Sequence, residues 1–406
     1  MIREFVAVII SFLSIPVLSK KNVDIGIAIC ICAVLMAFMG GMGFSAFEGV
    51  IVGTFFDIKK VQQYIIVIEI GILGVLLKKY KIMDNVISYL TKVVRSRRVT
   101  LMFIPALVGL LAVPGGAIIS APFIDRLGEE SNLPGVQRAI INLVYRHISM
   151  HIMPYTTGLL LVAFLTPQIS IYKLVVLNGI FVVLYSTIGY FLYIRKVQHD
   201  KTPPVSPILP NLINLLKYTS PVYLAVLLNI FFKVPFYVGM LANLVVVFLL
   251  HPTKTFLIDV ARAFNIRILT ALIGVYLIQG VVGKMESLTT FLTLIFSNSN
   301  TIILGIIITS FFFGMTTGFQ PTALGVVLPI LSRLSISNNS LLLYCHFTFV
   351  WSFVGYFFSP LHLCQLFTCE YLKVSTIDLY KEYWKFFLCL VALLTINYFV
   401  MGIWLN

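Results

Sequence analysis

Long apolar runs recur along the whole chain, and they limit what it can fold into. They occupy 4–18, 24–42, 63–78, 100–124, 174–194, 218–232, 234–250, 266–283, 302–331 and 384–404. A helix needs about 20 residues to cross a hydrocarbon core. A membrane β-barrel would show alternation over about ten residues instead. The pattern therefore predicts an all-α polytopic membrane protein. Composition agrees: 59% of the residues are hydrophobic and only 11% are charged, against roughly a quarter charged in soluble domains. Together these exclude a cytosolic enzyme, a disordered scaffold and a secreted disulfide domain.

Lys plus Arg is 29 against 15 acids, a net charge of +14. In a chain this apolar, the excess reads as positive-inside topology and contact with anionic lipid, not as nucleic-acid binding. Basic clusters at Lys78, Lys79 and Lys81 and at Lys92, Arg95, Arg97 and Arg98 place both flanks of 82–94 on one side. Within that stretch Ile82, Met83, Val86, Ile87, Leu90, Val93 and Val94 recur at helical spacing, predicting an amphipathic helix lying in the interface. Residues 2–18 start on Arg3-Glu4 and lack a small-residue cleavage site, so they read as a retained first helix. The six cysteines include no CxxC pair and read as small core residues.

Two apolar stretches, 136–166 and 338–372, are interrupted by Pro154 and Pro360. The side of the basic loop at Arg195, Lys196 and Lys201 favours a hairpin entering from outside for the first, its tip near Pro154. The two halves then share one order: span, short amphipathic helix, long broken span, interrupted hairpin, span. The counterpart of 82–94 is 285–297. VPGGAIISAPFI (113–124) aligns with FQPTALGVVLPI (319–330), and Met83-Asp84 with Met285-Glu286. The expected organisation is N-terminal helices over 1–62, repeat 1 over 63–194, connecting helices over 195–265, and repeat 2 over 266–406. The repeats are inverted, as in secondary transporters.

Proline removes a backbone donor and glycine permits a non-helical turn. An unwound segment inside lipid must line a cavity or be covered by protein. The breaks at Pro114, Gly115 and Gly116 and at Thr316, Thr317, Gly318 and Thr322 are therefore candidate substrate contacts, with Ser120. Half-helices starting there offer free N–H groups that favour an anion. The bland alternative is a proline kink in a packed helix. Arg146 suits a carboxylate or phosphate partner, or a structural pair with Glu69. Glu69 stands deep in its span, where an acid is costly and functional, and is a candidate for proton or sodium coupling. His147 and His151 are four apart, but Ile148 replaces the Glu of a metalloprotease motif. They, His346 and His362 are read as proton relays or packing groups, with no metal expected. Ser359-Pro360 marks the second tip.

PGG-x4-AP at 114–122, YRH at 145–147 and S-P-x-H-x-C at 359–364 resemble an uncharacterised prokaryotic integral-membrane family. That family is distantly similar to gluconate permeases, within the ion-transporter superfamily. The resemblance implies two inverted repeats, each with a re-entrant hairpin and a discontinuous helix, and a homodimer. It implies that the tips near Pro154 and Ser359 meet the breaks near Pro114 and Pro321 at one site. The resulting expectation is a secondary transporter of a small organic anion, a carboxylate or sugar acid. It would be driven by protons or sodium in a prokaryotic plasma membrane, with no cofactor and no enzymatic activity. An ion exchanger is the alternative, and an intramembrane metal-dependent enzyme a remote one.

Overall fold

The computed structural model describes residues 2–94, 96–110, 117–197, 207–298 and 301–405. Pro114, Gly115 and Gly116 lie outside that set. The described residues form helices and no strand. This follows from the sequence: in lipid every backbone polar group must be satisfied within the segment.

The N-terminal part holds α1 (Ile2–Lys20), α2 (Ile25–Gly40) and α3 (Phe44–Phe55). Then come α4 (Ile58–Lys79), α5 (Ile82–Val93), α6 (Arg97–Gly109), α7 (Ala117–Glu129), α8 (Gly135–Arg146), α9 (Ile148–Ile152), α10 (Thr157–Leu165) and α11 (Ile171–Gly189). The connecting helices are α12 (Ile208–Phe232), α13 (Phe236–Leu250) and α14 (Phe256–Arg262). The last part is α15 (Ile266–Val282), α16 (Glu286–Ser297), α17 (Ile302–Thr317), α18 (Gln320–Leu331), α19 (Asn338–Phe357), α20 (Leu363–Leu372) and α21 (Thr376–Leu405). Among the described residues, seven helices are long and apolar enough to cross a membrane.

Local chemistry sets several starts. Asp24, Asp57, Asn265 and Ser337 each accept a hydrogen bond from a backbone N–H two or three residues on. These side chains satisfy donors that have no partner within the helix. α19 is the central helix, with 83% of its apolar window buried, whereas α12 at 17% is peripheral. The amphipathic α5 forms almost where the sequence placed it, but its apolar face is buried against α12, with Tyr89 stacked on Tyr218.

The largest correction concerns which segments reverse. The described parts of the stretch 100–124, expected as one broken span, are the two arms of a hairpin. α6 and α7 lie side by side, and Arg97 at the start of α6 donates to the Glu130 carbonyl just past the end of α7, at 3.0 Å. In a continuous helix residues 33 apart would be separated by roughly 50 Å. α17 and α18 also pack on each other across a two-residue link, where Gly318 adopts the left-handed conformation at φ 59°. Conversely, 136–166 is no hairpin: Gly135–Leu165 is one interrupted span of 31 residues. Its first part, α8, packs on α6 and α7, and its last part, α10, packs on α18. In the second half α19 is followed by the turn at 358–362. α20 then leaves α19 to pack on α7 and α8. A proline in an apolar run looks the same whether the chain turns back or continues; neighbours far along the sequence decide.

Candidate functional site

The packing pairs are exchanged between the halves. α10, which ends the interrupted span of the first half, packs on α18, an arm of the second hairpin. α20 packs in the same way on α7, an arm of the first hairpin. The starts of α10 and α18 therefore meet in the interior. Gly158 makes this approach possible, since a Cβ there would stand 3.1 Å from Gln320 Oε1 and 3.1 Å from the Phe349 ring. Gln320 Nε2 donates to the Phe349 carbonyl at 2.9 Å. Gln320 Oε1 and Thr322 Oγ1 are buried and have no hydrogen-bond partner among the described residues. Two positive helix ends with two unsatisfied oxygens are an unfinished polar site.

The other expected contacts at this break divide into roles. Thr317 Oγ1 accepts from Phe319 N at 3.2 Å and closes the end of α17. Ser359 Oγ donates to the Met315 carbonyl at 2.7 Å and accepts from Leu361 N at 3.1 Å, tying the 358–362 turn to α17. Gly318 lies under that turn; an added Cβ would come within 2.7 Å of Leu361 Cβ. The Ser359-Pro360 turn thus meets the Gly318 break; the break at Pro114 lies outside the described residues. Thr316 does not: it borders an apolar groove of about 500 Å³ with Phe311, Phe312, Trp351 and Phe387. Its hydroxyl bonds back to the Phe312 carbonyl at 2.8 Å. Ser120 donates to Asn142 Oδ1 at 2.6 Å, and Asn142 Nδ2 donates to Thr368 at 3.1 Å. That relay ties α7, α8 and α20 together.

A second polar cluster lies where α8 ends and α20 begins. His147 and His362 approach with their Nε2 atoms 3.1 Å apart. Cys364 Sγ is the third potential ligand, and the three ligand atoms lie within 4.8 Å of one another, all buried. The Tyr356 hydroxyl is 3.4 Å from His147 Nε2. The Arg146 guanidinium is close enough to act electrostatically on Cys364 and Tyr356. This corrects the reading of one cysteine. His151 lies outside this cluster: both its ring nitrogens lack partners among the described residues, and its ring sits among Phe181, Phe349 and Phe353. Cys364 is not a plain core residue. The signal was present in the sequence, two residues after His362 in the S-P-x-H-x-C segment, but His147 lies 215 residues away from His362.

His346 is satisfied on both sides, by Asn178 at 2.8 Å and Asn397 at 3.0 Å, and bridges α19, α11 and α21. Its geometry is that of a packing group. Glu69 is buried on α4, which packs against α13 and α15. It forms no ion pair with Arg146, and its Oε2 has no hydrogen-bond partner among the described residues. Outside the spans, α14 is locked to α4 by Lys79 Nζ–Asp259 Oδ1 at 2.5 Å.

Compared with known proteins, residues 5–403 match the family described as Protein of unknown function (DUF401). No curated protein matches the chain.

Proposed function

We propose, for a chain that belongs to the DUF401 family and whose activity must be argued from its site, that it is a secondary active transporter of a small organic anion. The observation that carries this reading is the meeting of the α10 and α18 starts. Each helix start presents the positive end of a dipole; at α18 Pro321 carries no N–H and Thr322 N donates to the Phe319 carbonyl at 3.2 Å, so the dipole more than free backbone donors favours an anion there. Two such starts facing each other in a packed interior repel until an anion lies between them. Gln320 Oε1 and Thr322 Oγ1, both without partners among the described residues, add polar groups beside it; Thr322 can donate to a carboxylate, and the Gln320 oxygen can accept from a substrate hydroxyl.

The exchanged packing supports the mechanism. Each interrupted span leans on the hairpin of the other half. A two-fold related pair of inverted repeats would have this arrangement, and rocking of one against the other would give alternating access. We place the protein in a prokaryotic plasma membrane, as a homodimer, with proton or sodium as the driving ion. The helix ends would take up the carboxylate group that simple carboxylates and sugar acids share.

Solid-supported-membrane electrophysiology on proteoliposomes tests the reading with small carboxylates, sugar acids and inorganic anions under sodium and pH gradients. A current tied to one anion class is expected. A second reading, a cation exchanger, is favoured by Glu69, whose buried carboxylate lacks a partner for Oε2 among the described residues. Currents on sodium or proton jumps alone, without any organic solute, would select it. In the transporter reading Glu69→Gln abolishes dependence on the ion gradient; gradient-driven uptake intact in that variant would remove Glu69 from coupling.

A further inference from the structure

His147 and His362 face each other with the wrong atoms for a hydrogen bond. The Nδ1 of His147 lies 2.6 Å from the Leu143 carbonyl, and the Nδ1 of His362 lies 3.1 Å from the Phe357 carbonyl. A carbonyl oxygen only accepts, so each Nδ1 carries the proton. In a neutral ring the Nε2 is then a bare lone pair. Two such lone pairs stand 3.1 Å apart, and they repel unless something positive lies between them. The Tyr356 hydroxyl, 3.4 Å from His147 Nε2, and the Cys364 thiol, which bonds to both rings, each carry a single proton, and a proton on either reaches one ring from the side without standing between the two Nε2 atoms. Cys364 Sγ stands beside both rings, within 4.8 Å of a ring nitrogen of each.

We propose that His147, His362 and Cys364 bind a borderline-soft divalent ion of the Zn²⁺ class. Tetrahedral Zn²⁺ with Zn–N bonds of about 2.0–2.1 Å holds two nitrogens roughly 3.3 Å apart, close to the spacing seen. Two imidazoles and one sulfur form a donor set that suits such an ion and not Mg²⁺ or Ca²⁺. The backbone carbonyls on both Nδ1 atoms are the outer partners that fix tautomer and ring orientation in metal-bound histidines. On binding, the Cys364 S–H bond breaks, the S–metal bond forms, and the proton leaves to solvent. The Arg146 guanidinium then balances the thiolate charge. Three protein ligands leave a fourth position open beside Tyr356, where an anion or water completes the shell. The inference goes beyond the transport reading and does not depend on it.

The test uses the purified full chain in detergent, stripped of metal and titrated with Co²⁺ alone, then with Zn²⁺ as competitor. One Co²⁺ per chain is expected, with a thiolate-to-cobalt charge-transfer band in the near ultraviolet, and Zn²⁺ should displace it. Cys364→Ser loses the band, and His362→Gln weakens binding at least tenfold. His251→Gln, at a loop away from the cluster, changes neither. Monodisperse elution confirms folding; should His362→Gln not fold, the sulfur band in Cys364→Ser decides alone. Absence of the band in wild type, or its survival in Cys364→Ser, overturns the proposal. A single proton shared between the two Nε2 atoms, seen by nitrogen-15 NMR in protein that takes up no Co²⁺, overturns it as well.

Discussion

Replacing Gly318 by alanine perturbs the junction on which the site depends. Gly318 ends α17 at φ 59°, a conformation that costs an L-residue roughly 1–2 kcal/mol. Its new Cβ would lie 2.7 Å from Leu361 Cβ and 2.9 Å from the Leu361 carbonyl carbon and oxygen. Ordinary carbon contacts are about 3.5–4.0 Å, so the 358–362 turn must retreat by about 0.8 Å. Part of the contact is with backbone, which yields only if the whole turn moves; overpacking of this kind costs about 1–3 kcal/mol. The sum is about 2–5 kcal/mol of lost stability. The moved turn carries Ser359, which is bonded to the Met315 carbonyl, and His362, which faces His147. Anion uptake and Co²⁺ affinity should therefore fall together. Thermal unfolding in detergent, with uptake in proteoliposomes, reads both effects. Gly318→Asn separates the causes: asparagine tolerates the left-handed region but keeps the clash, so it should recover only part of the loss. An alanine variant as stable and active as wild type would refute the reasoning.

Thr322→Val removes a buried hydroxyl that has no partner among the described residues; stability should hold or rise, by up to about 1–3 kcal/mol, while anion uptake drops at least tenfold. A loss of stability with uptake intact would make Thr322 a structural group. Asn178→Leu strips the partner from His346 Nδ1 and from the His151 carbonyl. It should destabilise by about 1–3 kcal/mol per stranded group without changing which solutes are carried, as unfolding and uptake panels would show. The Asp259 carboxyl is held below its ordinary value, chiefly by the hydrogen bond from Lys79, with Tyr80 and Thr255 adding to it against the opposing effect of desolvation. A depressed folded value means this stabilisation is fully present above the unfolded value of about 3.9. It is lost as pH falls through the folded value. The stability difference between wild type and Asp259→Asn should therefore stay constant from neutral pH down to about 5 and shrink only below about 4; a difference that changes between pH 7 and 6 would contradict it.

Segment type was legible wherever one face or one composition decided it. The amphipathic helix at 82–93 was visible because its apolar residues recur with helical period, and the one at 286–297 because the order of elements repeats between the halves. The Pro154 and Ser359-Pro360 interruptions were visible because proline and polar residues stand out in apolar runs. Whether such an interruption reverses the chain was not legible. That depends on contacts such as Arg97 with Glu130 and α10 with α18, which no local pattern encodes. The same limit hid the His147–His362–Cys364 cluster, since each residue alone reads as a satisfied core group. α3 was missed because its 12 residues are too few to register as a crossing.

The central claim is that this chain moves a small organic anion across a membrane against its gradient. The direct measurement is mass spectrometry of the lumen of purified proteoliposomes after incubation with a mixture of small carboxylates and sugar acids under an imposed pH or sodium gradient. The account predicts that one anion class accumulates, that collapse of the gradient abolishes the accumulation, and that Thr322→Val reduces it. Folded, monodisperse protein that accumulates none of them under either gradient would contradict it.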